Sequence, residues 1–367
     1  MAKKKARPET ARKVRPKARI VAVREPAKAK AAPKPYRIIA TEEAWAIPEQ
    51  LAAMKEVADA ATEYDPDYFL VGMQHTDPLR RRLLDAGEER LGIMNQGGVS
   101  MHLLAMTSTG VQTLETERAI AIAALGNDRL AEVIRRHPTR YAGLATVAPQ
   151  DPSRAVLEMD RAITRLKLNG VMINSHTNGE YLDNRKYWPI LEAAAGLKVP
   201  IYIHPRAPSP AMAQPYREYH LEHAIWGYQA ECGLHALKLI MSGVFDHFPD
   251  LKIVIGHMGE GIPYWLYRID WMADRFNMRR PPRKLAPSEY FKRNFCITTS
   301  GVNWLPALKF CIEVISADNI MFAVDYPYQE TMEAVAWLRD AEIAEADKAK
   351  IFHKNAERIF GIPPGAK

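Results

Sequence analysis

VPIYIHP, residues 199–205, is an apolar run that ends in a histidine, and two similar runs stand far from it in the chain: RIIATEEAW (37–45) and IMFAVDYP (320–327). A short apolar run of this kind is typical of a strand buried on both faces of a parallel sheet. Each run carries an ionisable side chain near its carboxyl end. Such a residue is poorly placed for packing but well placed for chemistry.

The three ionisable residues are Glu42, His204 and Asp325. Two carboxylates and an imidazole form a mixed oxygen and nitrogen ligand set that suits Zn²⁺ or Mn²⁺. Taken singly, each has an ordinary structural explanation: a backbone hydrogen bond, an ion pair or a turn cap. Glu43 is the alternative to Glu42, because neighbours in a regular strand point to opposite faces and only one of the two can face the centre.

Strand-like runs recur along the chain beyond residue 36, and helical segments with apolar residues three and four apart lie between them. We predict eight strands, at 37–43, 99–106, 141–148, 170–174, 199–204, 251–256, 295–300 and 320–325. Eight strand–helix units favour an α/β fold of the (β/α)8 TIM-barrel type, with its site at the carboxyl ends of the strands. An open Rossmann-type sheet is the competing fold, but no G-x-G-x-x-G follows any of these strands.

A second group of candidate residues follows the sixth predicted strand, in GHMGEGIPYWLYRID (256–270). His257 is a candidate general acid or base, and Glu260 is the carboxylate that would hold it. The alternative is a buried histidine satisfied by the backbone. Arg268 would bind a substrate carboxylate through two parallel hydrogen bonds, or it would pair with a carboxylate on the protein surface.

The net charge of +7 is unevenly distributed, because residues 1–36 hold thirteen Lys/Arg and two Asp/Glu. This Lys-, Arg-, Ala- and Pro-rich segment lacks periodic apolar residues, so we expect a disordered tail, followed by one barrel domain at 37–367. Nucleic-acid binding by the tail is disfavoured, and no apolar run reaches the length of a membrane span. Three widely spaced cysteines suggest reduced thiols and a cytoplasmic protein.

Several strings resemble the decarboxylase branch of the amidohydrolase superfamily, and in particular its 5-carboxyvanillate decarboxylase-like members. The resemblance spans residues 37–361, and the matching strings are RIIATEEAW, AMTSTGVQTL, ATVAPQDP, INSHTNGEYLD, IYIHP, GHMGEGIPYWLYRID and DYPYQ. It implies an amidohydrolase-like barrel and a carboxy-lyase that removes CO₂ from an ortho-hydroxy aromatic carboxylate such as 5-carboxyvanillate. A metal-dependent hydrolase or hydratase acting on a small carboxylated substrate is the alternative within the superfamily.

The resemblance also implies roles for particular residues. Glu42, His204 and Asp325 would hold Mn²⁺ or Zn²⁺, and no organic cofactor is expected. The proposed contacts with substrate or catalytic water come from His257, Arg268, Tyr228, Tyr328 and one arginine among Arg80, Arg81 and Arg82. Relatives of this kind form homodimers or homotetramers.

The chemistry expected of such an enzyme is protonation of the ring carbon that carries the carboxylate, followed by loss of CO₂. Asp325 is the first choice for the acid, and His257 would relay the proton with Glu260 behind it.

Overall fold

The strands of the computed structural model, which describes residues 36–275 and 283–365, are all parallel. The predicted tail lies outside the described residues except for Tyr36. Within the described residues there are nine strands: β1 (Ile39–Trp45), β2 (Met101–Met106), β3 (Tyr141–Gly143), β4 (Ala145–Thr146), β5 (Val171–Asn174), β6 (Ile201–His204), β7 (Ile253–Ile255), β8 (Phe295–Thr298) and β9 (Ile320–Met321).

The ninth strand arises because the predicted strand 141–148 divides at Leu144. β3 pairs with β2, whereas β4 pairs with β5, so the chain changes its hydrogen-bonding partner at this residue. The Leu144 amide donates to Leu104 O at 2.9 Å, and the Ala145 amide donates to Gly170 O at 2.8 Å. The two short strands therefore occupy one strand position of the barrel, and the predicted barrel of eight strand positions is confirmed.

The barrel closes where the segment after β9 meets β1. The Thr41 amide donates to Phe322 O at 3.1 Å, and the Ala44 amide donates to Tyr326 O at 2.8 Å. Residues beyond β9 thus form the backbone hydrogen bonds that join the last strand position of the barrel to the first, without a regular ladder. Closure leaves neither of these two strand positions as an open edge.

Helices surround the barrel or cover its ends, and they are named in chain order. They are α1 (Pro48–Ala60), α2 (Asp67–Met73), α3 (Leu79–Leu84), α4 (Glu88–Gly97), α5 (Thr116–Arg136), α6 (Pro152–Thr164), α7 (Trp188–Leu197), α8 (Pro210–Ala213), α9 (Gly227–Met241), α10 (Val244–His247), α11 (His257–Glu260), α12 (Ile262–Arg275), α13 (Pro287–Asn294), α14 (Leu305–Ile315), α15 (Thr331–Asp340), α16 (Glu345–Ala349) and α17 (Asn355–Phe360). No helix within the described ranges has the length and apolarity needed to cross a bilayer.

The core follows the alternation of side chains along each strand. In β6, Ile201 and Ile203 pack in the cluster that faces the helices, whereas Tyr202 belongs to a separate cluster inside the barrel. Ile359 and Phe360 of α17 join that interior cluster beside the early strand residues. The amino-terminal half of the barrel interior is therefore filled with apolar side chains, which leaves the polar residues at the carboxyl ends.

A cover segment, residues 46–97, lies between β1 and β2 and contains α1 to α4. From the sequence alone, residues 46–90 are an interruption longer than a plain connection, which is typical of a segment over an active site. Helix α2 of this segment contributes Phe69, Leu70 and Met73 to a cavity at the carboxyl ends of the strands. Its position sets one wall of the site described next.

Candidate metal centre

A β-bulge in β1 decides which of the two adjacent glutamates faces the barrel centre. Ala40 pairs with His102 and Glu43 pairs with Leu104, so three steps along β1 match two steps along β2. The extra residue breaks the simple alternation and turns Glu42 toward the interior. The structure thereby selects Glu42 rather than Glu43 for the cluster at the strand ends.

Glu42, His204 and Asp325 meet at the carboxyl ends of the barrel, with one donor atom from each lying within 4.8 Å of the others. The Oε2 atom of Glu42 accepts hydrogen bonds from hydroxyl groups; these belong to Tyr202, Thr298 and Ser300. Its Oε1 atom is buried, accepts no hydrogen bond from the described residues, and lies 3.5 Å from His204 Nε2. A buried carboxylate oxygen without a donor is expensive unless a cation satisfies it.

The ring of His204 is oriented for the same point. Its Nδ1 lies 2.8 Å from the backbone oxygen of Pro205, which accepts a hydrogen bond when the proton is on Nδ1. That tautomer leaves the lone pair of Nε2 directed at Glu42, the arrangement typical of metal-binding histidines. Burial lowers the pKa of His204, which favours the neutral ring that a metal requires.

The charges of the cluster are unbalanced. Burial raises the pKa of Asp325 well above its usual range, and the carboxylate of Glu42 raises it further. Burial also opposes the charge on Glu42, but the imidazoles of His257 and His204 outweigh it and lower its pKa. A divalent cation among the three side chains would remove the repulsion and satisfy Glu42 Oε1, so the donor set fits such an ion.

His257 stands beside this cluster, just after β7, the strand that pairs with the strand of His204. Its Nδ1 lies 2.9 Å from Glu260 Oε1, and its Nε2 lies 4.0 Å from Glu42 Oε1. Burial alone would lower the pKa of His257, but the carboxylates of Glu260 and Glu42 raise it to about 10. Both residues belong to α11, a single turn in which His257 and Glu260 have positive φ of 48° and 54°. The turn holds the imidazole of His257 next to the candidate metal centre.

A cavity of about 440 Å³ opens onto the cluster, a volume suited to a small aromatic ligand. The aromatic and apolar part of its wall comes from Phe69, Leu70, Met73, Tyr228, Val302 and Tyr328. The Tyr328 hydroxyl is fixed by Gln74 Nε2 at 2.8 Å and by Thr107 Oγ1 at 2.7 Å. The cavity therefore combines a flat apolar slot with the ionisable side chains at its base.

The structure brings most of the residues predicted from sequence to this cavity, including His257, Glu260, Tyr228 and Tyr328. It does not bring the arginines. Arg80 is exposed on α3, and Arg81 and Arg82 pair with Glu89. Arg268 is exposed on α12, outside the cavity of its own chain.

Sequence reasoning missed the residues that hold Glu42 from behind. Tyr202 precedes His204 by two positions on β6, and Thr298 precedes Ser300 by two at the end of β8. Two-residue spacing places both members of a pair on the same face of a strand, so the signal was present. Glu43 was considered only as the alternative ligand to Glu42, and its observed contacts could not be predicted because they are with backbone amides far away in the chain.

A parallel barrel with a carboxylate–imidazole–carboxylate cluster at its strand ends defines a class of protein: barrel enzymes that bind a divalent metal at the carboxyl ends of the strands. A family model described as Amidohydrolase matches residues 43–362. The crystal structure of 5-carboxyvanillate decarboxylase from Sphingomonas paucimobilis is 45% identical, with a TM-score of 0.86, over 89% of this chain and 100% of that one.

Two further relatives are also decarboxylases. A 5-carboxyvanillate decarboxylase from Novosphingobium aromaticivorans, complexed with manganese and 4-hydroxy-3-methoxy-5-nitrobenzoic acid, is 39% identical, with a TM-score of 0.86, over 89% of this chain and 96% of that one. A gamma-resorcylate decarboxylase from Polaromonas sp. is 36% identical over 77% of this chain and 90% of that protein. The chain belongs to the amidohydrolase family, in its decarboxylase branch, and is a carboxy-lyase. The manganese in a relative and the cluster in this chain together support a divalent metal.

Proposed function

We propose that the chain catalyses the metal-dependent, non-oxidative decarboxylation of an ortho-hydroxy aromatic carboxylate, with 5-carboxyvanillate as the first candidate. The observation that carries the proposal is the orphaned Glu42 Oε1, which faces His204 Nε2 at the base of a cavity with aromatic walls. The names of the relatives support the same class of substrate.

Glu42, His204 and Asp325 would hold the ion, with Mn²⁺ as the first choice and Zn²⁺ as the second. When bound, the ion supplies Lewis acidity toward the substrate carboxylate and its ortho hydroxyl oxygen. The chain itself contributes the hydroxyl groups that fix Glu42 and the Pro205 carbonyl that fixes His204. These contacts keep the ligand atoms in place without further ordering when substrate arrives.

Asp325 donates the proton in this proposal. It lines the same cavity as His257, which places its carboxyl group beside the space for the ring. The ring carbon that bears the carboxylate takes the proton and forms a C–H bond, which interrupts aromaticity. The C–C bond to the carboxylate then breaks, its electron pair returns to the ring, and CO₂ leaves. Asp325 is left as a carboxylate and must recover a proton before the next turnover.

His257 returns that proton. It lies next to the cluster, lines the cavity, and carries a proton at neutral pH because Glu260 and Glu42 outweigh the effect of burial. Glu260 fixes the ring through Nδ1, which leaves Nε2 facing the cluster. General acid catalysis of this kind contributes about 10²–10⁴ in rate.

The cavity wall orients the ring and excludes water. Phe69 and Leu70 from the cover segment face the side of the cavity that also contains Tyr228 and Tyr328. Phe69 stacks on His223 with ring centroids 4.7 Å apart, which stiffens that part of the wall. A ring held between these groups would present its carboxylate to the residues at the base.

Arg268 is exposed and lies outside the cavity, so its surroundings on α12 suggest a different role. Arg268 shares the exposed face of α12 with three aromatic side chains, namely Tyr264 (71% exposed), Trp265 (51%) and Tyr267 (83%). We propose a cytoplasmic homodimer or homotetramer in which this face is buried, since apolar patches of this kind mark protein contacts. Light scattering of a Tyr267→Lys variant tests it: a lower mass than wild type is expected, and an unchanged mass argues against this face.

Metal analysis combined with an ultraviolet assay tests the proposed reaction. The protein is stripped of metal, reloaded with Mn²⁺ or Zn²⁺, and given 5-carboxyvanillate, 2,6-dihydroxybenzoate and 2-hydroxybenzoate. The matched control substrate is 4-hydroxybenzoate, which has the same groups but no hydroxyl next to the carboxylate. Turnover should require metal and should occur only with an ortho hydroxyl. Equal turnover of stripped and reloaded protein, or turnover of the control alone, would overturn the proposal.

A further inference from the structure

Glu43 is buried directly behind the candidate metal centre, although it does not line the 440 Å³ cavity. Its two carboxylate oxygens have separate backbone partners. The Val324 amide donates to Oε1 at 2.9 Å, and the Tyr326 amide donates to Oε2 at 3.2 Å. These two amides belong to the residues on either side of Asp325.

The backbone between these amides is in an unfavourable conformation. Asp325 has a φ of +72°, in the left-handed region that side chains other than glycine rarely adopt. Its own amide donates to the backbone oxygen of Glu42 at 3.0 Å. Three successive amides, at 324, 325 and 326, are therefore held by the two adjacent glutamates of β1.

We infer that Glu43 is a positioning residue whose carboxylate clamps the 324–326 loop and thereby aims the Asp325 side chain at Glu42 and His204. The inference rests on the proposed function, since it assigns a role within that site. It also explains why the sequence places two glutamates side by side: the bulge sends Glu42 to the centre and leaves Glu43 to hold the opposite ligand loop.

A carboxyl group suits this task better than any isosteric side chain. Both of its oxygens have lone pairs for an amide donor, whether or not the group carries a proton. In glutamine one oxygen is replaced by an NH₂ group, which has no acceptor lone pair and would face a backbone N–H. Glu43→Gln therefore keeps the size of the side chain but breaks one of the two contacts.

The experiment compares Mn²⁺ affinity in wild type, Glu43→Gln and Glu231→Gln. Glu231 is the matched control because it is also a buried carboxyl with two donors, but these are the hydroxyls of Ser175 and Tyr181. The electron paramagnetic resonance signal of free Mn²⁺ decreases as the ion binds, so the affinity can be measured without an activity assay. Glu43→Gln should bind Mn²⁺ about 10–100-fold more weakly, the effect seen when an outer contact of a metal ligand is lost. Glu231→Gln should stay within about twofold of wild type.

Kinetics separate positioning from a general loss of structure. With saturating Mn²⁺, Glu43→Gln should lower kcat by about tenfold or more and change KM little, because Asp325 rather than the ring slot is displaced. Glu43→Asp, which keeps both acceptors on a shorter side chain, should recover part of the affinity. It also stands in if Glu43→Gln does not fold, in which case weakened Mn²⁺ binding by Glu43→Asp is the expected result.

Folded Glu43→Gln and Glu43→Asp that bind Mn²⁺ and turn over like wild type would overturn this inference alone. Wild type that binds no Mn²⁺ and consumes no ortho-hydroxybenzoate would overturn the proposed function, and the inference with it.

Discussion

The barrel wall and the cover segment form two sides of the same cavity, but they are held by different forces. Glu42 and His204 stand on strands whose positions are set by backbone hydrogen bonds to both neighbours. The cover segment is attached mainly through individual side chains. Asp67 of α2 pairs with Arg206 beyond β6, and both are buried. The reactive side chains are therefore fixed by the backbone of the barrel, whereas the substrate wall is fixed by side-chain contacts, both polar and apolar.

The contrast predicts the largest effect for Asp325→Asn, which removes the proposed acid from the wall. Activity per bound metal should fall by about 10²–10⁴-fold, the range for a lost general acid. Steady-state kinetics with metal analysis of the same sample measures it. Asp318→Asn, at an exposed carboxylate, is the control and should behave like wild type. Near-normal turnover by metal-loaded Asp325→Asn would remove the proton role.

Breaking the attachment of the cover should act on binding and stability instead. Asp67→Asn leaves Arg206 buried beside a neutral partner, a change that costs about 3–5 kcal/mol when a buried pair is broken. Urea unfolding should show this loss. KM should rise about tenfold, since Phe69 and Leu70 are no longer held against the ring, with kcat changed less.

The matched control for this pair is Glu117→Gln, which breaks an exposed pair with Arg154. An exposed pair contributes about 1 kcal/mol or less. If the buried and exposed variants lose the same stability, the cover is not held by Asp67 and Arg206.

Glu231 of α9 gives a test outside the cavity, because it is a buried carboxyl whose partners are the hydroxyls of Ser175 and Tyr181. Burial raises its pKa to about 7. The folded state then keeps a proton that the unfolded chain releases near pH 4.5, so stability is present below that pH and declines as pH rises toward 7. Between pH 5 and 7 the free energy of unfolding should fall by up to about 1.4 kcal/mol per pH unit more in wild type than in Glu231→Gln. Parallel curves for the two proteins would contradict the assignment.

The smallest effect is expected for Arg80→Ala. Arg80 is exposed on α3 and does not line the cavity of its own chain. Stability should change by less than about 0.5 kcal/mol and KM by less than about twofold. A tenfold rise in KM would show that the cover moves, or that subunits assemble, in a way that brings this arginine to the substrate.

The same contrast explains which parts could be predicted from the sequence. The barrel and the convergence of Glu42, His204 and Asp325 followed from apolar runs that end in ionisable residues, because parallel strands place their carboxyl ends together. The family followed from the resemblance of the matching strings. The choice between Glu42 and Glu43 could not be made, because a bulge leaves no mark in the pattern of residue types. The substrate-binding arginine among Arg80, Arg81 and Arg82 could not be chosen from the sequence. The contacts that hold α3, such as those of Arg81 and Arg82 with Glu89, follow no periodic sequence pattern.

The closure of the cylinder has a consequence for biosynthesis. Glu42 lies on the first strand of the barrel and Asp325 follows the last, and the amide of Asp325 binds the carbonyl of Glu42. A nascent chain therefore has no complete centre until residues beyond 326 have left the ribosome. Contacts between residues so far apart in the sequence form slowly, and until they form the edge of β1 is open to pairing with other chains. The full set of three ligands therefore assembles only after the segment that carries Asp325 has been synthesised.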